Sequence, residues 1–187
     1  MTVHPAGEIA LMPPAGRTEH PDRWFDAIFR AHYPRVVGLL ARLTGDRGEA
    51  EEIAADVFCK LARRGEADGD PAPWLYRVAS NAGLDALRSN SRRRRREESA
   101  AAERWRTDAS DNALDEVLRE ERRARVREIL ASLKPRDAQL LMLRAEGLPY
   151  RELAEALGIQ ASSVGTLLAR AEAEFERRYR SRYGEES

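Results

Sequence analysis

Arg77, Asn81 and Arg88 follow one another at intervals of four and seven residues, which on a helix places them in one stripe, and five consecutive arginines, Arg92 to Arg96, extend it in the stretch "SNSRRRRREE". Guanidinium groups on a rigid helix can hold phosphates through paired hydrogen bonds, and Trp74 at the start of the same helix offers an indole on which an unpaired base can stack. A solvated helix face carries similar residues, and an indole in a first turn also suits a core. The stripe, on which Leu84 is also placed, is nearly free of acid, with only Asp85 nearby. Solvated faces usually alternate signs. Nucleic acid is therefore favoured as the ligand of Arg77, Asn81 and Arg88, with Arg92 and Arg93 extending the stripe toward phosphates or as mobile charge, while Trp74 suits the core more often than a stacking platform.

A second cluster lies in "YRELAEALGIQASSVGTLLARA". A helix-turn-helix needs a small residue where its two helices meet, a glycine to turn the corner in a left-handed conformation, and apolar anchors that fix the second helix at a steep angle. Ala154, Gly158, Val164 and Leu167 meet those needs. An ordinary helical hairpin would share them, but the combination favours DNA binding, in which the N-terminal residues of the second helix approach base edges in the major groove. Ser162, Ser163 and Thr166 hold those places, with Arg170 a turn further and Arg151 on the preceding helix. A third cluster is acidic: Asp46, Glu49, Glu51, Glu52 and Asp56 crowd one helix beside Phe58. Such a surface repels DNA, so it serves either solubility or docking of a basic protein partner.

The elements that must position these groups are helices, since the apolar pattern is helical nearly throughout and no period-two alternation is sustained. The expected fold is all-α: two small helical domains joined by a flexible acidic linker, the second containing the helix-turn-helix. Residues 1–20, with three prolines and two glycines, read as a flexible tail; 21–96 form the first domain, 97–113 the linker and 114–182 the second domain. Within the first, Asp22 is a plausible N-cap and Pro34 is expected to end one helix and open another carrying Val36, Val37, Leu39, Leu40 and Leu43. Asp46 and Glu49 have the spacing of a capping pair for a helix to about Arg64. Residues 65–73 read as a loop, and the helix after it should bury Trp74, Leu75, Val78, Ala79, Ala82 and Ala86. Helices are then expected from Leu114 to Leu133, from Pro135 to about Ala145, from Pro149 to Leu157 and on to about Arg180.

The 32 basic and 32 acidic residues cancel overall, but 21–96 holds 15 basic against 11 acidic, 97–113 holds 2 against 5, and 114–180 holds 13 against 12. The balance is thus basic, then acidic, then even. A single cysteine, Cys59, excludes an internal disulfide and a cysteine zinc cluster and fits a reducing, cytoplasmic setting. The N-terminal stretch lacks the pattern of a secretory signal and no apolar run approaches a membrane span, so no membrane partner is expected. The histidines, His4, His20 and His32, have no metal-ligand spacing, and neither a phosphate-cradling glycine loop nor a nucleophile with its base is evident. No catalysis, cofactor, metal or small-molecule substrate is expected.

The order "FDAIFRAHYPRVVGLLARLTGDRGEAEEIAADVFCKL", "PAPWLYRVASNAGLDALRS" and "LASLKPRDAQLLMLRAEGLPYRELAEALGIQASSVGTLLARA" resembles a bacterial RNA polymerase sigma factor of the sigma-70 family, extracytoplasmic-function group. The resemblance implies core RNA polymerase and promoter DNA as partners. It implies that the acidic helix around Glu49, Glu51, Glu52, Asp56 and Phe58 docks on the polymerase clamp. By the same resemblance Arg77, Asn81 and Arg88 hold the melted minus-ten element, the loop before them captures a flipped base, the second domain reads the upstream element, and the linker lies in a nucleic-acid channel. Members of the group are often held inactive by an anti-sigma factor, which adds one implied partner. Where the family commonly has "TVKSRL" then "RAR", this chain has "SVGTLL" then "RAE", so several phosphate contacts are missing and the isolated second domain should bind DNA poorly. Gln160 stands where a serine N-cap is usual. Two other readings compete: a two-domain DNA-binding regulator that never joins the polymerase, and a decoy for sigma inhibitors suggested by Glu172, Glu174 and Glu176.

Overall fold

The computed structural model describes residues 21–66, 69–100 and 111–184. The predicted tail and residues 101–110 of the predicted linker lie outside them. The described chain forms seven helices: α1 (Pro21–Thr44), α2 (Arg47–Arg64), α3 (Ala72–Ala100), α4 (Asp111–Ser132), α5 (Pro135–Ala145), α6 (Tyr150–Leu157) and α7 (Ala161–Tyr183). α3 thus runs through the first four residues assigned to the linker, and α4 begins three residues before Leu114.

α1 starts at Pro21 and passes straight through Pro34, where the sequence predicts a break. Proline inside a helix removes one backbone bond and costs about 3 kcal/mol. Against that, Val36, Val37, Leu39, Leu40 and Leu43 are each at most 4% exposed, and each such burial is worth roughly 1.5–3 kcal/mol. Pro34 itself is exposed, so its ring displaces no core residue. On the N-terminal side, Phe25, Phe29 and Tyr33 meet the ring of Phe58 at centroid distances of 6.4, 5.0 and 5.6 Å. Both halves of α1 therefore have a partner surface within one continuous helix, and burial outweighs the proline.

Asp46 caps α2 by accepting from the Glu49 amide at 2.7 Å. The reciprocal half of the predicted capping pair is absent: the Asp46 amide donates to Thr44 Oγ1 at 3.2 Å, and Glu49 Oε2 accepts from Asn90 of α3 at 2.9 Å. At the start of α3 the Ala72 amide donates to Asp70 Oδ1 at 2.9 Å. Its buried face is Leu75, Tyr76, Ala79, Ser80, Leu84 and Leu87, whereas Trp74, Val78, Ala82 and Ala86 are half-buried. The burial is rotated from the predicted stripe, and Leu84, assigned to the outer face, is 1% exposed. The physical reason is that α3 is covered on more than one side. It packs on α1 and α2, and also on α4, α5 and α6.

In the second unit α5 opens with Pro135 at its first turn, and α6 ends at Gly158 in the left-handed region (φ 63°, ψ 40°), as the predicted corner requires. The Ile159 amide reaches back to the Ala154 carbonyl at 2.9 Å. Gln160 is the N-cap of α7 but makes no side-chain capping bond. Val164, Leu168 and Ala171 are buried, so the second anchor is Leu168, one residue after the predicted Leu167, which is only half-buried. Buried apolar residues of the two units, from Val36 to Leu168, form one contiguous cluster.

Candidate nucleic-acid interface

Arg77 projects from α3 into solvent. One turn on, Asn81 Oδ1 accepts a hydrogen bond from Gln139 Nε2 of α5 at 2.6 Å, and the same nitrogen lies 3.3 Å from Ser80 Oγ. Ser80, fully buried, donates in turn to the Arg77 carbonyl at 3.0 Å. Two turns further, Arg88 donates from Nη2 to the Leu133 carbonyl at 3.1 Å and from Nε to the Ala131 carbonyl at 3.4 Å. Those carbonyls belong to the end of α4, where helix geometry leaves acceptors without intrahelical donors and concentrates partial negative charge. A guanidinium is well suited to that end. Of the three polar residues in the predicted stripe, the structure leaves Arg77 open and engages Asn81 and Arg88 with the second unit.

Trp74 is half-buried, with the Arg64 guanidinium 4.9 Å from its ring centroid, an intermediate between the core and stacking readings. Arg92 and Arg93 are exposed on the continuing helix, and Arg93 donates to Asn90 Oδ1 at 3.2 Å. The arginine tract is therefore helical, which fixes its direction along α3. An open groove of about 930 Å³ lies beside it, bordered by Glu49, Glu52, Arg93, Arg94, Glu120 and Arg127. Its lining alternates in charge, and it resembles a seam between units more than a small-molecule site.

On α7, Ser162, Thr166 and Arg170 are exposed and Ser163 is half-buried, with exposed Arg151 on α6 beside them. The fold thus groups these five predicted residues on the two helices flanking the Gly158 corner. The sequence reading missed Tyr150, which is 44% exposed at the start of α6, has the Arg144 guanidinium 5.4 Å from its ring centroid, and lies against Gly165 of α7. Its aromatic ring in the first turn of α6 was the signal available in the sequence. Farther along α7, Glu174 is held by Arg177 and Arg178, whose hydrogen bonds to its carboxylate lower its pKa to about 2. Glu176 accepts from Arg180 at 2.6 Å. Two of the three acids of this helix, Glu174 and Glu176, are thus paired with its own arginines, and Glu172 is exposed.

On α2, Asp46, Glu52 and Asp56 are exposed and Glu49 and Glu51 half-buried, with Arg47 donating to Glu51 at 2.9 Å. Phe58 corrects the sequence reading. At 2% exposure, beneath the rings of α1, it has no surface to offer a partner and serves instead to seat α2. Among the described residues there is no cluster of three or more metal-ligating side chains, and no helix is long and apolar enough to cross a membrane.

Residues 28–93 match the family model described as Sigma-70 region 2, and residues 123–175 match Sigma-70, region 4. The chain is 36% identical over 152 residues to the probable ECF RNA polymerase sigma factor SigI of Mycobacterium tuberculosis, an alignment covering 78% of this chain and 52% of that protein. It therefore spans about half the length of that relative. It is 30% identical over 161 residues to the RNA polymerase sigma-H factor of Pseudomonas aeruginosa, covering 80% of this chain and 82% of that one. A solved complex of the sigma factor RpoE with the anti-sigma factor NepR from Bartonella quintana aligns at a TM-score of 0.49 and 16% identity, over 83% of this chain and 96% of that one. With both regions present in order, and with a relative of nearly matching length, the chain belongs to the sigma-70 family of RNA polymerase sigma factors, in its extracytoplasmic-function group.

Proposed function

We propose that this chain acts in the cytoplasm as a sigma factor, joining core RNA polymerase and directing it to promoters without making or breaking a bond itself. The exposed carboxylates of α2 dock on the polymerase, the α6–α7 pair reads the upstream promoter element, and α3 holds the opened downstream element. The observation that carries this reading is the coexistence, in one chain, of an acidic docking helix, a basic helix bearing Arg77, Asn81 and Arg88, and a helix-turn-helix. Opening a promoter exposes bases and brings phosphates onto α3. Extruding one base costs a few kcal/mol in lost stacking, which phosphate pairing by the arginines and contacts from the loop before α3 must offset.

Of the three acids that suggest the decoy reading, Glu174 and Glu176 bond to arginines of α7, whereas Glu172 is exposed. Run-off transcription with purified core enzyme tests the proposal. The wild-type chain is expected to give promoter-dependent transcripts, and Arg77→Ala and Asn81→Ala to lower the output about tenfold each, on the order of 1.4 kcal/mol, while co-purification with core polymerase is unchanged. Output equal to wild type in both variants would remove α3 from promoter opening.

A further inference from the structure

Gly165 lies inside α7, where neither backbone nor packing requires a glycine. Its φ is not in the left-handed region that Gly158 occupies, and a Cβ there would make only an ordinary van der Waals contact, 3.7 Å from Tyr150 Cε2. Glycine in a helix interior weakens the helix, so stability does not account for it either. Its effect is on the surface. With no side chain at 165, the Cε2 edge of the Tyr150 ring is left uncovered beside the N-terminal half of α7, and the tyrosine is 44% exposed. We propose that Tyr150, uncovered by Gly165, is a base-reading residue of the helix-turn-helix, and that the group it reads is the C5-methyl of a thymine in the major groove of the upstream promoter element. The inference rests on the sigma-factor reading above and deepens it by naming a residue that determines specificity.

The chemistry of the spot selects a methyl group. In the major groove thymine alone presents one, and it is read by apolar contact, whereas guanine and adenine are read by paired hydrogen bonds. The atom of Tyr150 nearest α7 is a ring carbon, and Gly165 brings no donor or acceptor side chain beside it. Polar groups border the spot without filling it: Ser162 is exposed three residues before Gly165 and Thr166 directly after it, with Arg151 exposed on α6. The Arg144 guanidinium lies over the ring, 5.4 Å from its centroid, and its Nη1 donates to the Leu148 carbonyl at 3.4 Å. That stacking holds the ring from the α5 side and keeps a positive charge next to it for the phosphate flanking the base. A lysine at 165 would cover the ring edge and put a hydrogen-bond donor in its place, the chemistry that reads guanine.

The test uses the full chain bound to core RNA polymerase, with a pool of random-sequence duplex DNA as the probe. Bound duplexes are sequenced, and the enriched upstream element is resynthesised with deoxyuridine in place of each thymine in turn, which removes the methyl and leaves the base pair intact. The wild type is expected to lose affinity about fourfold at one thymine of that element. Tyr150→Phe is expected to keep this loss, because the ring remains, and Tyr150→Ala to abolish it while substitutions elsewhere in the element keep their effect. Gly165→Lys is expected to abolish it as well and to favour guanine at that position, and this surface change decides the matter should Tyr150→Ala fold poorly. An element in which no thymine responds to loss of its methyl overturns the proposal. So does a response that survives in Tyr150→Ala or Gly165→Lys, or one that Tyr150→Phe removes, which would assign the contact to the hydroxyl. A wild-type chain that enriches no sequence beyond core polymerase alone overturns the sigma-factor reading at the first step, before any thymine is replaced, so the two failures are told apart.

Discussion

Gly83 has no side chain, and that absence sets how closely α1 and α3 approach. A Cβ there would stand 2.6 Å from Leu43 Cδ1 and 2.9 Å from Leu40 Cδ2, both belonging to fully buried side chains that have nowhere to retreat. Alanine is the better helix former by about 1 kcal/mol, but overpacking a closed core commonly costs about 1–3 kcal/mol, so the clash should win. Gly83→Ala is expected to lower stability by roughly 1–2 kcal/mol, read as a reduced urea midpoint at unchanged slope. A variant as stable as wild type would mean that the two helices can part without loss. At this scale local rules served well where they concerned backbone. Asp46 caps α2 and Gly158 turns the corner after α6, both from nearest-neighbour spacing. They failed for Phe58, because an acidic helix also needs one apolar side, and residue type alone did not say which way the ring faced.

Between elements, the seam of α1 and α3 carries a titratable contact. His32 Nδ1 lies 3.3 Å from the Tyr76 hydroxyl, and burial lowers the imidazole pKa from its ordinary 6.5, opposed by the nearby carboxylate of Asp70 and, from α6, Glu152, and reinforced by Arg35. A histidine whose pKa is lower folded than unfolded binds fewer protons in the native state. Its contribution is complete above about pH 6.5 and is lost as the pH falls below that value. His32→Gln is therefore expected to flatten the loss of stability between about pH 7 and 5, measured by urea unfolding at several pH values. An unchanged pH profile would assign that slope to other groups. Helix positions were legible because most buried stripes follow a 3.6-residue period. Pro34 and the rotated face of α3 were not, for one shared reason. Both depend on how many neighbours a helix has, and periodicity within one segment reports only that a face is covered, not how many partners cover it.

For the molecule as a whole, the contiguous apolar cluster predicts that the two units unfold together. The described tryptophans, Trp24 and Trp74, both report on the first unit, whereas helical circular dichroism reports on both. The two signals are expected to trace one urea transition in the free chain, and separate midpoints would show that the units melt independently. Two domains and their order were readable from sequence, and the matched regions agree with that order. Their docking was not, because Gln139 and Asn81 stand 58 positions apart and neither carries a local mark of the other. Their meeting has a further consequence for how such a protein can change. On the proposed sigma-factor reading, a substitution at Asn81 or Arg88 made to change a DNA contact also removes a contact between the two units. At these two positions ligand contact and the packing of the units cannot be changed separately.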